Sequence, residues 1–510
     1  EKQLTFAQFK ENNWAALIKP VVFSLLAGFF LGLYLLTWFG ALLFVFLIFL
    51  FFVLQFFIDH LRRQSTDYLS VVSLIVFGVA AAMFLPVMHD NLNLAVLLIG
   101  LFVPVILNLL SRLMAKKEIK PIYFPLSIIG IGLAGIGVLY LAAPSLFQLM
   151  LTSFSIFHPT GASLTTLEMQ PILRPTGTFT LTLVWGNFTS SFFVAIATLC
   201  LLAYLVLFKK ADADKTLLLV WGIVILAATI GQRRFAYYFA VNTAVLTGYF
   251  SAWLIEKCDL TKSDSTNENS LFTLAVGGVA ILFLIPSLWM GFLNPLTWLG
   301  LPAAIVFFIG LYLGRGKKSR REIRLRRTGL EKPKRFSFNT TSVNLILAQV
   351  MIFFTVLFPN VAAASQTASG ASFAPTDAWM EALTWMKDNT PDPFGNPNYY
   401  YEIAPTTDYP ASAYGVLSWW DYGYWITRIA HRIPNVNPSQ DAVLQKKVGT
   451  IFTAQTESQA NVLVRELGSA YVVIDDQTAL GKFWAVATWA GKSPNEFSEI
   501  YYVPQQNQFG

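Results

Sequence analysis

Charged residues are scarce in this sequence of 510 residues. They make up 13% of the chain, and hydrophobic residues make up 55%, whereas a soluble globular protein carries about 25% charged residues. The scarcity excludes a chain that is soluble throughout. It places most of the sequence in lipid, where a spanning helix needs about 20 predominantly apolar residues.

Residues that build disulfide frameworks and metal clusters are also few. Cys200 and Cys258 are the two cysteines, which excludes a disulfide framework. The four histidines are scattered without ligand spacing, so no zinc site is predicted. The sequence has no glycine-rich phosphate loop either. It therefore gives no support to a disulfide-stapled, zinc-binding or P-loop protein.

Long apolar segments are what the chain does have. They predict a polytopic α-helical membrane domain over residues 1–363, with about eleven transmembrane helices. Trp38 and Gly40 mark a turn between the first two segments. The predicted segments are 20–38, 40–59, 68–87, 93–114, 122–143, 184–208, 215–231, 235–255, 271–291, 296–314 and 341–363.

Lysine and arginine are concentrated in alternate loops between these segments. The positive-inside rule assigns such loops to the cytoplasm, and a long loop, 144–183, and all residues after 364 then fall on the opposite side. We therefore expect a multi-pass protein of the cell membrane, and no nucleic-acid partner, because the basic residues are a topology signal. The basic loops are His60–Arg63, Lys116–Lys120, Lys209–Lys210 and Lys317–Lys334.

The composition changes in the last part of the chain. Residues 364–510 carry Asp, Asn, Pro, Tyr and Gly at frequencies typical of globular proteins. They predict an extracytoplasmic domain of mixed α/β structure, large enough for its own core. Its predicted parts are a small-residue linker from Ser365 to Ser372, a helix from Asp377 to Lys387, a strand from Tyr471 to Ile474 and a helix at about 479–490.

The most specific string in the sequence lies in this domain and runs from Trp419 to Gly423, with the sequence Trp-Trp-Asp-Tyr-Gly. Tryptophan is rare, and two adjacent indoles beside a carboxylate and a Tyr-Gly turn offer hydrogen bonds and a flat apolar wall. The string indicates a recognition pocket more than a packing motif. We call it the Trp-Trp-Asp motif.

Two further residues stand out on the side predicted to be external. Glu168, in the long loop 144–183, is the only acidic residue between Glu118 and Asp212. An isolated carboxylate at a membrane surface needs a metal, a cation or a substrate amide as its partner, unless it is simply a solvated residue that caps a helix. Arg234 lies where two predicted helices meet, and its guanidinium either binds a phosphate or snorkels to the headgroups.

Together these residues resemble a known family. The Trp-Trp-Asp motif looks like the signature of the catalytic subunit of oligosaccharyltransferase, most of all of the single-subunit archaeal and bacterial enzymes. Thr165 to Glu168 resembles the Ser/Thr-x-x-Glu element of the family's long external loop, and Arg234 resembles an arginine that starts a late transmembrane helix. The order of the parts, with membrane helices first and the external domain last, also matches.

The resemblance implies transfer of an oligosaccharide from a polyprenyl or dolichyl (pyro)phosphate carrier to the asparagine of Asn-x-Ser/Thr sequons. The partners are then the lipid-linked donor, the acceptor polypeptide and the bilayer. Glu168 and Arg234 are the implied catalytic residues, and Glu168 is the implied ligand of a divalent cation, Mn²⁺ or Mg²⁺. The residues implied to bind the +2 Ser or Thr are Trp419, Trp420, Asp421, Lys482 and Val486.

The sequence departs from the family in its first part. No acidic pair occurs in the predicted external loops before Glu168, so the resemblance implies that the family's first helices and acidic motifs are missing, and 271–314 is read as an inserted hairpin. Two alternatives stay open. Another polyprenyl-phosphate-dependent membrane glycosyltransferase would not depend on the sequon hydroxyl, and an inactive fragment or sugar-binding membrane protein would tolerate Glu168→Gln.

Overall fold

The computed structural model describes most of the chain as two compact units. The first consists of Glu1–Pro159 and Pro171–Ser365, and the second of Thr160–Gln170 and Gln366–Gly510. A short part of the long loop, Thr160–Gln170, therefore clusters with the C-terminal residues; we call it the Glu168 segment. The described residues are 11, 14–87, 91–175, 177–258, 348–349, 352–371, 374–395 and 409–498.

The first unit is helical. Within the described ranges, eight segments are long and apolar enough to cross a membrane, which confirms a polytopic α-helical membrane protein. The predicted segments 271–291 and 296–314, and most of 341–363, lie outside the described residues. The α-helices of this unit are Trp14–Thr37, Leu42–Leu61, Asp67–Phe84, Asn91–Lys116, Tyr123–Ala142, Pro144–Ser153, Thr182–Phe188, Ser191–Phe208, Ala213–Gly231 and Ala236–Cys258.

One predicted span is divided. Instead of a single helix over 184–208, the chain forms Thr182–Phe188 and Ser191–Phe208. Thr189 lies between them with a φ of 49°, in the left-handed region, where a β-branched residue cannot continue a right-handed helix. The prediction of one continuous span was wrong, because Thr189 and Ser190 at the break are neither glycine nor proline, and Gly186 lies inside the first helix.

Basic loops of the first unit meet at one end of its helices. Arg62 donates to the carbonyl oxygen of Ala211 at 2.9 Å, which joins the loop after the second predicted segment to the loop after Lys209. His60 Nδ1 lies 2.8 Å from Ser111 Oγ, near the end of the helix that leads to the basic loop Lys116–Lys120. These contacts support the prediction that the basic loops share one face.

The second unit is built on a small parallel sheet. Its strands are β1 (Gly415–Leu417), β2 (Ile433–Pro434) and β3 (Ser469–Val472), in the order β2-β1-β3. Both pairings are parallel. The carboxyl ends of parallel strands face the same edge of a sheet, which is where α/β proteins place their ligands. The residues that follow β1 and β3 are therefore brought to one edge.

The helices from residue 358 onward correct two predictions, and the first of them, Phe358–Ser369, begins in the first unit and ends in the second. The predicted linker is helical as far as Ser369, because alanines at 362–364 favour helix. The predicted helix at 479–490 is two shorter helices, broken by Gly481. The helices are Phe358–Ser369, Asp377–Asn389, Ala442–Phe452, Glu457–Glu466, Asp476–Ala479 and Phe483–Trp489, with shorter turns at Gly161–Thr165, Leu167–Met169, Trp420–Tyr422, Gly423–Trp425, Ile426–Ala430 and Pro494–Phe497.

A buried arginine fixes one of these helices to the sheet. Arg432, which directly precedes β2, is 2% exposed. Its guanidinium donates to Thr390 Oγ1 at 2.8 Å and to the carbonyl oxygens of Thr390 and Lys387 at 2.6 and 3.0 Å. These acceptors lie at the C-terminal end of the helix Asp377–Asn389. A positive charge at this end also interacts favourably with the helix dipole.

We predict that Arg432→Gln destabilises the protein strongly. The shorter amide leaves several buried carbonyl oxygens without donors, and each such loss costs about 1–3 kcal/mol. The expected decrease in the free energy of unfolding is on the order of 3 kcal/mol. It is measured as a lower Tm of the complete protein in detergent. Arg465→Gln, at an exposed position, is the matched control, and equal Tm values for the two variants would contradict the prediction.

Candidate active site

The Trp-Trp-Asp motif begins directly after β1, at the carboxyl edge of the sheet. Trp419 is only 1% exposed and is part of the hydrophobic core of the second unit. The first tryptophan of the motif therefore packs in the core, and its contact with an acceptor residue stays a prediction. Trp420 to Tyr422 then form a single 3-10 turn, which carries the polar groups away from the core.

Gly423 ends the motif where two backbones meet. A Cβ atom at this position would lie 2.4 Å from the carbonyl oxygen of Val436 and 2.6 Å from the Cα of Asn437. No larger residue fits without a shift of the backbone, because real Cβ atoms do not approach so closely. The glycine thus lets the turn pack directly against the chain that leaves β2, and this contact fixes the direction of the motif.

Asp421 and Lys482 form an ion pair at the surface of the motif. Lys482 Nζ lies 2.7 Å from Asp421 Oδ2 and 3.1 Å from the hydroxyl oxygen of Tyr422, and it is 4.5 Å from the centre of the Tyr422 ring. Burial alone would lower the pKa of Lys482, but its bonds to Asp421 and Tyr422 raise it above its ordinary value. The lysine is therefore a cation at neutral pH and holds the Asp421 carboxylate in place.

A second carboxylate, Asp475, supports the motif from β3. Its Oδ2 accepts hydrogen bonds from the Tyr422 hydroxyl at 2.6 Å and from Trp379 Nε1 at 3.2 Å. Its Oδ1 accepts two hydrogen bonds from Thr478. Burial raises the pKa of Asp475, but the bonds from Tyr422, Thr478 and Trp379 outweigh it and lower the pKa below its usual range. No motif in the sequence marks Asp475 as a functional residue.

Trp420 carries an unused donor beside Asp421. Its Nε1 is buried, and no residue in the described part of the chain accepts a hydrogen bond from it. A buried donor without an acceptor costs about 1–3 kcal/mol, so the position is prepared for an acceptor atom. The neighbouring Asp421 side chain is 29% exposed and accepts hydrogen bonds. A hydroxyl both donates and accepts, so it has the chemistry to bond either of these groups.

Val486 does not line this surface. It lies in the helix Phe483–Trp489, which we call the pocket helix, and it is 0% exposed. The carbonyl oxygen of Val486 is only 2.9 Å from the Cβ position of Gly449, so the pocket helix packs closely on the helix Ala442–Phe452. In this structure Val486 is a core residue, and its contact with the +2 residue stays a prediction.

The Glu168 segment belongs to the same unit as the Trp-Trp-Asp motif. Thr165 Oγ1 accepts a hydrogen bond from Trp489 Nε1 at 2.9 Å, and the pocket helix packs against the turn Gly161–Thr165. Glu168 itself is exposed. The structure thus brings Glu168, Asp421 and Lys482 into one unit. The spacing of the sequence contains no signal for Trp489, which is separated from Thr165 by 324 residues.

Arg234 lies in the other unit. It belongs to the turn Arg233–Phe235 that begins the last described membrane helix of that unit. Its guanidinium carbon is 5.3 Å from the centre of the Phe235 ring. Next to it, Gln232 Nε2 donates to the carbonyl oxygen of Ser155 at 3.3 Å, so the first part of the long loop packs at this helix end.

The described residues do not by themselves form a metal site. Among them, no group of three His, Cys, Asp or Glu side chains lies close enough to hold an ion. Mg²⁺ demands an octahedral set of oxygen ligands, and Glu168 supplies one carboxylate. A divalent cation therefore does not fit the described side chains alone.

Known proteins resemble this chain over nearly all of its length. Residues 376–479 match the AglB core domain (AglB core-like) family. Dolichyl-phosphooligosaccharide-protein glycotransferase 3 of Archaeoglobus fulgidus is 27% identical over 95% of this chain and 51% of its own length. The AglB glycotransferase of Haloferax volcanii is 25% identical over 95% and 49%. The chain spans about half the length of the curated relatives it matches.

Solved structures of two oligosaccharyltransferase complexes are also similar to this chain. The A. fulgidus oligosaccharyltransferase AglB in complex with an inhibitory peptide and a dolichol-phosphate has a TM-score of 0.66 at 25% identity, covering 92% of this chain and 49% of that protein. The A. fulgidus oligosaccharyltransferase tethered with an acceptor peptide containing the NVT sequon has a TM-score of 0.62 at 25% identity, with the same coverage. The resemblance predicted from the Trp-Trp-Asp motif is confirmed.

The Tyr422 hydroxyl predicts how the second unit responds to alkali. Burial and the bond to Asp475 raise the pKa of Tyr422 from 10.0 to about 12. A group with a higher pKa in the folded state stabilises the fold fully below its unfolded pKa, and that contribution is lost as the pH rises through the folded pKa. We expect stability to fall between pH 10 and 12, and Tyr422→Phe to make that fall shallower.

Thermal unfolding of the complete protein across this pH range measures the effect. Tyr424→Phe is the matched control, because the Tyr424 side chain is 54% exposed. A residual slope from Lys482, whose pKa is also raised, remains in both variants. Identical slopes for Tyr422→Phe and wild type would show that the hydroxyl contributes nothing to the pH dependence.

Proposed function

We propose that this chain, which belongs to the oligosaccharyltransferase family, carries the catalytic subunit's activity and transfers an oligosaccharide from a polyprenyl or dolichyl (pyro)phosphate carrier to asparagine in Asn-x-Ser/Thr sequons. The observation that carries the proposal is the pair formed by Trp420 Nε1, which is buried and has no acceptor among the described residues, and the partly exposed Asp421 carboxylate. The pair matches a ligand hydroxyl. The acceptor polypeptide, the lipid-linked donor and the bilayer are the proposed partners.

The hydroxyl of the +2 residue is what this pair recognises. The Ser or Thr hydroxyl donates to Asp421 and accepts from Trp420, so both groups are satisfied when a sequon binds. A residue without the hydroxyl leaves them unpaired, and sites built to bond a hydroxyl reject such analogues strongly. Lys482 and Tyr422 hold Asp421 in position, and Trp419 anchors the motif in the core. Trp420, Asp421 and Lys482 are therefore the proposed acceptor-binding residues.

The reaction joins the acceptor nitrogen to the sugar. The asparagine Nδ2 forms a bond to the anomeric carbon, the bond from that carbon to the phosphate oxygen breaks, and the carrier leaves with the electron pair. The nitrogen gives up one proton. An amide nitrogen is a poor nucleophile because its lone pair is delocalised, which for a peptide bond produces a rotation barrier of ~18–20 kcal/mol. A carboxylate that accepts the amide N–H favours a twisted, more reactive nitrogen.

Glu168 is the carboxylate we assign to the acceptor amide. It is exposed in the unit that also holds Asp421. It is also the proposed ligand from this chain for Mn²⁺ or Mg²⁺, although the described side chains do not complete a site. We assign Arg234 to the phosphate of the donor, because guanidinium groups bind phosphate through paired charge-assisted hydrogen bonds and this one lies at the end of a membrane helix.

The proposed topology places these groups on one side of the cell membrane. About eleven transmembrane helices over residues 1–363, with the basic loops in the cytoplasm, put the loop 144–183 and the domain 364–510 outside. The contacts between basic loops at one end of the first unit support this arrangement. Arg234 follows the far end of the helix Ala213–Gly231, which starts near one of those loops.

If Trp420 and Asp421 bind the +2 hydroxyl, Trp420→Phe should lower kcat/KM for acceptor peptides that carry this hydroxyl. The variant keeps an aromatic ring but removes the N–H donor, so transfer to an Asn-x-Thr peptide should lose about tenfold in kcat/KM, the upper range for one hydrogen bond. The weak transfer to an Asn-x-Val peptide should be unaffected, because valine offers no acceptor. Rates are measured with the complete protein, lipid-linked donor and divalent cation.

Trp385→Phe is the control for this experiment, since Trp385 is 59% exposed on the helix Asp377–Asn389. Its kcat/KM should equal that of wild type for both peptides. Equal losses of Trp420→Phe on the threonine and valine peptides would sink the hydroxyl pocket and favour a glycosyltransferase that does not read the sequon.

Glu168→Gln separates transfer from binding. The amide keeps the size of the side chain but loses the charge that pulls on the acceptor N–H groups, so turnover should fall at least about 100-fold, as for loss of a general base or charged stabiliser. Acceptor-peptide Kd should stay within about twofold, because the pocket at Asp421 is intact. Turnover close to that of wild type would contradict the assignment of Glu168 to catalysis.

A further inference from the structure

The Glu168 segment is short and lacks a core of its own. It consists of the turns Gly161–Thr165 and Leu167–Met169. Gln170 Nε2 donates to the carbonyl oxygen of Leu164 at 3.0 Å, which closes the segment on itself. A segment of this kind takes a defined position only when neighbouring residues fix it, because ordering each residue costs about 1–2 kcal/mol of conformational entropy.

Trp489 supplies that fixation. Its Nε1 donates to Thr165 Oγ1 at 2.9 Å, and Thr165 is only 8% exposed. A weaker contact follows, from Thr166 Oγ1 to Gln440 Oε1 at 3.4 Å. Gln440 has a φ of 59°, a conformation that non-glycine residues rarely adopt. The segment is thus held at its buried threonine, while Glu168, three positions later, remains exposed.

The pocket helix connects this contact to the acceptor pocket. Lys482, which pairs with Asp421, directly precedes the helix, and Trp489 is its last residue. Seven residues of α-helix are about 10 Å long. Val486 in the middle is fully buried and fixes the helix in the core. One rigid element therefore carries at its two ends the partner of Asp421 and the partner of the Glu168 segment.

We propose that Trp489 is a positioning residue: by holding Thr165 it places the Glu168 carboxylate at a fixed distance from the pocket that binds the +2 hydroxyl. This inference rests on the proposed function for its catalytic consequence. The distance between the +2 residue and the acceptor asparagine is set by the peptide, at no more than about 3.3–3.6 Å per residue. An enzyme that binds one and reacts at the other needs the corresponding protein groups at a constant separation.

The test uses Trp489→Phe and Thr165→Val in the complete protein, which remove the donor and the acceptor of the same bond. Each should lower kcat about threefold to tenfold, the range for loss of one neutral hydrogen bond, with acceptor-peptide Kd unchanged. The double variant should be no worse than either single variant, because both remove one interaction. Thr165→Ser, which keeps the hydroxyl, should have the kcat of wild type.

Hydrogen exchange gives a readout that does not depend on catalysis. Backbone amides of 160–170 should exchange faster in Trp489→Phe and Thr165→Val than in wild type, whereas the rest of the second unit keeps its protection. Trp484→Phe is the matched control on the same helix, since Trp484 is 39% exposed. It should change neither the exchange nor kcat.

The outcomes separate the inference from the proposed function. Unchanged exchange of 160–170 in both variants, or faster exchange with wild-type kcat, overturns the positioning role. Additive losses in the double variant overturn it as well, because the two residues would then act separately. A wild-type protein that transfers no sugar to any sequon contradicts the proposed function instead, while faster exchange in the variants would still confirm that Trp489 holds the segment.

Discussion

The candidate site depends on one carboxylate that is not part of its recognition motif. Asp475 follows β3 and accepts hydrogen bonds from Tyr422, Trp379 and Thr478. These donors come from the Trp-Trp-Asp motif, the helix Asp377–Asn389 and the turn after β3. A half-buried carboxylate is stable only when its oxygens are satisfied in this way. The Tyr422 hydroxyl, fixed in this way, also accepts a hydrogen bond from Lys482. Lys482 in turn forms the ion pair with Asp421.

Close packing gives this network its rigidity. Gly423 allows two backbones to touch, and the burial of Trp419 and Val486 fixes the motif and the pocket helix to the same core. Arg432 donates hydrogen bonds to the carbonyl oxygens at the C-terminal end of the helix that contains Trp379. The polar groups at the edge of the sheet are therefore held in position by apolar packing and by buried hydrogen bonds within the protein. Among the described residues, Trp420 Nε1 has no acceptor and Asp421 is partly exposed, and both have the chemistry to bond a hydroxyl.

The long loop is divided between two roles by this packing. Its first part, at Ser155, contacts the helix end next to Arg234, whereas Thr160–Gln170 clusters with the C-terminal residues. The loop thus connects the unit that we assign to the lipid-linked donor with the unit that we assign to the acceptor. Glu168 lies on the part of the loop that clusters with the second unit, where Trp489 bonds Thr165.

The sequence alone determined the class of protein and the location of its most specific motif, because lipid requires long apolar helices and a Trp-Trp-Asp string is rare in any context. It also indicated Glu168, Arg234 and Lys482 and the mixed α/β character of the last 145 residues or so. Only the tertiary structure decided that Trp419 and Val486 are core residues and that Asp475 and Trp489 hold the site. The reason is physical: Trp489 and Thr165 are 324 residues apart, and a contact at that separation depends on how helices and sheet pack, which no local pattern encodes.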